Sequence, residues 1–253
     1  MLNQLRTALR MLKADGLRYT LQFAVARIDE ERYERRFNIR THGYFSTASL
    51  QIGDPDSVFY LPTSYPGVFR ALRHVAVDGA FVDYGCGLGR ALIAAATLPF
   101  TRVTGLELSA QMVRRARANV AGAQGIQCPN IEVIHTHAAS WRVPDDVTVF
   151  HFYNPFGNRT LRSVVADIAR SLRSAPRRVW ILFAFPIAME PLMREGDVIP
   201  LTWQQGAVDE VWPLFPIRKD DLPRLTSYRI YSLDSRAGAA SSMAAGMPSF
   251  RLG

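Results

Sequence analysis

Two apolar periodicities alternate through the middle of this chain. Residues 80–84 (AFVDY), 101–108, 131–135, 147–153 and 178–185 are short runs rich in bulky apolar residues, the pattern of strands buried on both faces of a sheet. Between them, residues 89–97, 110–121 and 160–172 carry helical spacing, the second behind Ser109 as an N-cap. Strand and helix in alternation, with short connections, predict a parallel sheet covered by helices on both faces. The pattern changes after Pro186. Residues 198–203, 208–212 and 227–233 read as strands with no helix between the last two, which predicts an antiparallel edge. Upstream, Leu2, Leu5, Leu9 and Leu12 recur at helical spacing, and a second helical stretch, 17–37, ends in the mixed charge of RIDEERYERRF. Residues 38–65 are loop-like, and a short helix at 68–77 leads into the first strand. The expected organisation is a helical N-terminal extension with a lid segment over 1–77, an α/β domain over 78–234, and a small, polar tail over 235–253 that reads as disordered.

Composition narrows this picture in three ways. With 253 residues, 48% of them hydrophobic, the chain can bury a sizeable core. Its longest strongly apolar run, 179–189, is too short to cross a bilayer and contains Pro186, and the run 21–26 is too short for a signal peptide, so a cytoplasmic protein is expected. Two cysteines, Cys86 and Cys128, make no disulfide framework. The net charge of +8 admits a nucleic-acid partner. Yet Lys13 and Lys219 are the only lysines. One arginine group (Arg170, Arg173, Arg177, Arg178) falls on a sheet edge away from the expected cleft, so an ordinary basic surface is favoured.

The chemistry concentrates in FVDYGCGLGRALIAAA. This is a strand, a glycine turn and a helix, whose glycines permit tight turning and close approach of a ligand. Twenty-two residues after Gly85, at the end of the next strand, stands Glu107, placed to accept both hydroxyls of a ribose. Nicotinamide enzymes prefer G-x-G-x-x-G/A. Here the third glycine, Gly89, falls one place early and Arg90 takes the place wanted by Gly or Ala. Asp83, two residues before the first glycine, would repel a diphosphate and suits a cationic ligand.

VDYGCGLG and GLELS resemble the first and second motifs of class I S-adenosylmethionine-dependent methyltransferases, over roughly residues 62–233. The chain also resembles an uncharacterised bacterial family of such enzymes with an F-G-I-D-T-like segment, here FNIRTHG, and a strand ending in N-P-F. The resemblance implies a Rossmann-like, doubly wound seven-strand sheet and S-adenosyl-L-methionine as cofactor. It implies contacts from Asp83, Gly85, Gly87, Gly89 and Glu107, with Leu108 against the adenine. In that family the third strand is followed by Gly-Asp-Ala, whose acid meets the adenine amino group. This chain has Thr136, His137 and Ala138 there, which leaves His137 or the backbone to accept that bond.

FHFYNPFG, 150–157, ends a strand in Asn154, Pro155 and Phe156. In a doubly wound sheet this end lies at the cleft. Asn154 and the Pro155 carbonyl are candidates to aim an amine at the methyl group, and Phe156 to form an apolar wall. The segment resembles N-P-P-[YF] of amino-group methyltransferases with one proline missing and, more loosely, the Asn-aromatic segment of histone-lysine methyltransferases. It also reads as a plain strand stop. Tyr60, Thr63 and Tyr65 of YLPTSYPG are lid or acceptor-site candidates, or linker packing. His135 and His137 alternate at a strand edge without further ligands at metal spacing, so no metal is expected. The expected function is N-methyl transfer to a protein side chain or small amine. The alternatives are a nucleic-acid acceptor, a non-catalytic binding module, and a nicotinamide oxidoreductase, against which Arg90 and Asp83 argue.

Overall fold

A computed structural model describes residues 2–184, 204–208 and 228–236. The strand expected at 198–203, most of that at 208–212, and the tail from 237 lie outside the described residues. The elements are α1 (Leu2–Phe37), α2 (Tyr65–Leu72), β1 (Ala80–Tyr84), α3 (Arg90–Ala96), β2 (Arg102–Glu107), α4 (Ala110–Gly122), β3 (Ile131–His135), β4 (Val147–Tyr153), α5 (Asn158–Ser174), β5 (Arg178–Ala184), β6 (Gln204–Val208) and β7 (Tyr228–Asp234). Strand order in the sheet is β3-β2-β1-β4-β5-β7-β6. The first five are parallel, and β7 pairs antiparallel with both β5 and β6. This is the mostly parallel sheet with an antiparallel edge that the hydrophobic pattern predicts. The order reverses between β1 and β4, the crevice where ligands bind in such sheets.

Both faces of the sheet are dry, which is why its central strands lack a polar side. One face packs Phe81, Val103 and Val149 against α2, α3 and α4. All seven residues of α3 are buried, and its alanines allow the close fit. The other face packs Val82, Tyr84, Phe150 and Phe152 against the apolar stripe Leu161, Val164, Val165, Ile168 and Leu172 of α5. Tyr84, Phe152 and Phe183 sit in register on β1, β4 and β5. Their rings stack at 4.8 and 5.3 Å between centroids, a rigid floor beneath the strand ends.

The N-terminal extension begins with two helical segments, together α1, that break at Gly16 (φ 83°, ψ 171°), between the two helical stretches read from the sequence. Its C-terminal part docks on the glycine-loop helix through Arg90. That guanidinium, 2% exposed, bonds Glu30, Glu34 at 3.3 Å, the Thr41 hydroxyl at 2.7 Å and the Thr63 carbonyl at 2.7 Å, and lies 4.4 Å over the Tyr65 ring. Glu34 also accepts from the Thr41 N–H, and Glu30 from the Tyr65 N–H. A buried charge is tolerated only when paired and hydrogen-bonded, and this one binds three segments together. Burial nevertheless pushes the Glu30 carboxyl above its ordinary range, against the pull of Arg90.

Candidate active site

The glycine loop joins β1 to α3. Gly85, Gly87 and Gly89 all have positive φ (73°, 55° and 87°), conformations that other residues adopt only with strain. A side chain on Gly85 would strike Pro155, and one on Gly87 would strike the Tyr60 ring. The loop's own N–H groups are largely committed to protein. Gly85 and Cys86 donate to the Leu106 carbonyl, Gly89 donates to the Cys86 carbonyl, and Gly87 donates to Glu107 Oε2 at 2.9 Å. Few remain for a diphosphate. The Cys86 side chain fills the space beside Gly105, and burial holds its thiol well above the usual range, so it stays protonated.

Glu107 stands at the end of β2 with its carboxylate oriented from two sides, by Gly87 N–H and by Ser109 N–H at 2.8 Å. Burial raises its pKa. Each oxygen keeps a further lone pair, so a pair of vicinal hydroxyls fits this carboxylate. Gly85, Glu107 and Leu108 line a cleft, partly open to solvent, together with Met112, Thr136, His137 and Ala138 on one side and Tyr153, Pro155 and Phe156 on the other. Residues 50–61 cover it: Leu50 packs on Leu88 and Met112. Burial pushes the Tyr153 phenol up to about 12, so it keeps its proton at neutral pH.

The candidates named from sequence divide by place. Gly85, Glu107, Leu108, His137, Ala138, Pro155, Phe156 and Tyr60 border the cleft. Asp83, Gly87 and Asn154 do not: Gly87 lies under the Tyr60 ring, and Asn154 stands between the lining residues Tyr153 and Pro155 without lining the cleft itself. Asp83 is buried, and its Oδ1 is 2.6 Å from His151 Nδ1, in a chain continuing through the Tyr228 hydroxyl (3.0 Å) to Thr63 (2.7 Å). Thr63 thus lies in the packing behind the cleft, as does Tyr65, which stacks on Tyr33 at 4.9 Å. Gly89 faces Ala116 and Leu92 instead of the cleft. Tyr60 closes the loop from above, its hydroxyl donating to the Thr41 carbonyl at 2.8 Å. His137 has both ring nitrogens engaged: Nδ1 accepts the Ala139 N–H, and Nε2 faces Asp54 at 3.2 Å. Its neighbour two places earlier, His135, points Nε2 at the Leu108 carbonyl. Among the described residues no group of His, Cys, Asp and Glu could hold a metal ion, and no helix is long and apolar enough to cross a membrane.

The N-P-F segment is built in two ways. Phe156 packs edge-on against Tyr84 and Phe152, so its ring is a wall of the cleft and part of the core at once. Asn154 adopts φ 42°, a left-handed conformation that asparagine tolerates, and its side chain has no partner among the described residues. The covering segment is stitched to this region. Ser57 pairs with Phe156, the Asp56 carbonyl accepts from Gly157 N–H at 2.7 Å, and the Asp56 carboxylate accepts from Thr160 N–H at 2.6 Å. Gly157, the N-cap of α5, has no side chain to offer, and one would collide with Asp56. A lid residue therefore caps the helix. Sequence reading passed over Asp54, Asp56 and His151 because their partners lie roughly 70 to 105 positions away.

Residues 81–175 match the sequence profile of a family described as "Methyltransferase domain". No curated protein matches the chain. Among solved structures, a dimethyladenosine transferase from Plasmodium falciparum superposes with a TM-score of 0.50 at 14% identity, over 71% of this chain and 64% of that one. A 23S rRNA methyltransferase, ErmE, gives 0.45 at 20% over 68% of each chain. An RNA methyltransferase from Salinibacter ruber, solved with S-adenosyl-L-homocysteine, gives 0.44 at 22% over 69% of this chain and 94% of that one. The first of these likenesses concerns the fold alone. The glycine-loop unit of this chain is similar to a methyltransferase domain, and S-adenosyl-L-methionine is the cofactor to which that match and the Glu107 cradle point.

Proposed function

We propose that the protein is an S-adenosylmethionine-dependent methyltransferase acting on nitrogen, with a protein side chain or small amine as acceptor. The observation that carries the donor is Glu107, fixed by Gly87 and Ser109 N–H groups at the cleft while the Gly85, Cys86 and Gly89 N–H groups bond to backbone carbonyls. That arrangement suits a ribose without a diphosphate. When bound, the cofactor supplies a methyl group on a sulfonium, open to in-line attack.

The chain's contribution is binding, aiming and drying. Glu107 holds the ribose hydroxyls. Leu108 and Met112 give the base an apolar wall. Pro155 and Phe156 border the side of the cleft nearest the glycine loop, where an attacking nitrogen would be held. Asn154 precedes that wall in the chain, and its amide, turned into the cleft, would orient the acceptor's N–H. Residues 50–61 cover part of the cleft and reduce its exposure to water.

A nucleic-acid acceptor is the second reading. Tyr44 and Phe59 form an exposed ring pair 5.5 Å apart on the lid, and Phe59 also borders the cleft, so a base could stack there. The test has two stages. Calorimetry with S-adenosylhomocysteine and with NAD should show binding of the first alone; saturable NAD binding without a response to S-adenosylhomocysteine ends the methyltransferase reading. Labelled donor with host lysate, fractionated into protein, RNA and small molecules, should then place label in the protein or small-molecule fraction. Donor binding without turnover would favour a non-catalytic module.

A further inference from the structure

The strand that should carry an acid for the adenine amino group ends here in Thr136, His137 and Ala138. A ribose held by Glu107 directs its base toward this end of the cleft, where Leu50, Ile52, Leu108 and Met112 provide apolar surface. His137 offers that base no acceptor. The Ala139 N–H occupies Nδ1 at 3.2 Å, which places the ring proton on Nε2, facing Asp54 Oδ2. The Thr136 hydroxyl donates to the His137 carbonyl. Asp54 is a carboxylate from the covering segment that borders the same end.

Rather than the strand end, the lid supplies the missing acid: we propose that Asp54 accepts the exocyclic amino group of the adenine, so that the base and the closed lid hold each other in place. This rests on the reading of the cleft as an S-adenosylmethionine site. Asp54 already accepts from the Asp56 N–H (3.1 Å), Arg159 (3.1 Å), His137 (3.2 Å) and, at 3.4 Å, the Ser57 hydroxyl. The Ser57 contact is long and the Arg159 side chain is 70% exposed, so an amino group displaces a weak partner. The Asp56 N–H, with His137 and Arg159, holds the Asp54 carboxyl below its usual range, so it remains an anionic acceptor at neutral pH. His137 becomes a positioning residue that turns Asp54 toward the base.

The test compares S-adenosylhomocysteine with S-inosylhomocysteine, whose base carries a carbonyl where adenine has its amino group. Wild-type protein should prefer the adenosyl ligand by about tenfold or more, the worth of a hydrogen bond to a charged group. Asp54→Asn, whose amide can donate, should bring the two affinities within about threefold. Wild-type hydrogen exchange gives a readout that needs no variant: the adenosyl ligand should protect the amides of residues 54–60 and the inosyl ligand should not. Full preference retained in Asp54→Asn, or equal lid protection by both ligands, overturns the inference and leaves the methyltransferase reading standing. Failure of wild-type protein to bind either ligand removes both.

Discussion

At the scale of single residues, Asn154 and Glu107 lead to separable expectations. Asn154 sits at φ 42°, where alanine would add strain of its own, so glycine is the cleaner replacement. Asn154→Gly should leave S-adenosylhomocysteine affinity and melting temperature nearly unchanged and lower turnover about tenfold, because lost alignment costs only transition-state stabilisation. Donor affinity falling in step with turnover would move Asn154 into the cofactor site. Glu107→Ala should weaken S-adenosylhomocysteine binding by about 1.5–3 kcal/mol in calorimetry, the range for hydrogen bonds to a charged group. An unchanged dissociation constant would reduce Glu107 to a brace for Gly87 and Ser109. The same carboxylate predicts a pH dependence. Its pKa is raised from an ordinary 4.5 chiefly by burial, and the ionised form is the one that accepts both hydroxyls. Acidification should therefore begin to weaken donor binding at a pH above 4.5, as the raised group takes up its proton, and Glu107→Gln should flatten that limb of the profile.

Elements show where sequence reading succeeds and where it stops. Strands β1 to β5 and helices α3 to α5 were legible because their periodicity is set by burial on one face or two, a local signal. The Ser109 cap was legible for the same reason: its hydroxyl accepts from Met112 N–H, three residues on. The cap of α5 was not. It comes from Asp56, inside a GDPDS loop that spells only a turn, and no spacing rule links it to Thr160. The partner of Asp83 was hidden by the same blindness, since the imidazole that engages it comes from β4, at the paired position in the sheet. Asp56→Ala should cost about 1 kcal/mol, as lost helix caps do, measured as a lower urea midpoint with an unchanged slope. It should also raise amide exchange at residues 56–60, since the cap is one stitch of the lid. Stability lost without any change in lid exchange would mean that α5 and the lid are not coupled through this contact.

For the molecule as a whole, Arg90 is the residue on which the extension depends. From sequence it was only an arginine where a nicotinamide loop wants something small; in three dimensions it unites α1, the FNIRTHG segment and the Thr63 backbone. Arg90→Met should destabilise by about 3–5 kcal/mol, because Glu30 and Glu34 are left buried without a counter-ion. Thermal unfolding should fall on the order of 10 °C for a protein of this size. Adding Glu30→Gln should recover part of the loss; equal melting of wild type and Arg90→Met would show that the pair contributes little. The same pairing orders events during synthesis. Glu30 leaves the ribosome 60 residues before Arg90. At about 5–20 residues per second that is a delay of roughly 3–12 s. During that delay α1 carries carboxylates it cannot bury. A segment made before the sheet is thus among the last to settle, and a nascent chain halted before Arg90 should expose α1 to protease while one halted after α5 should protect it.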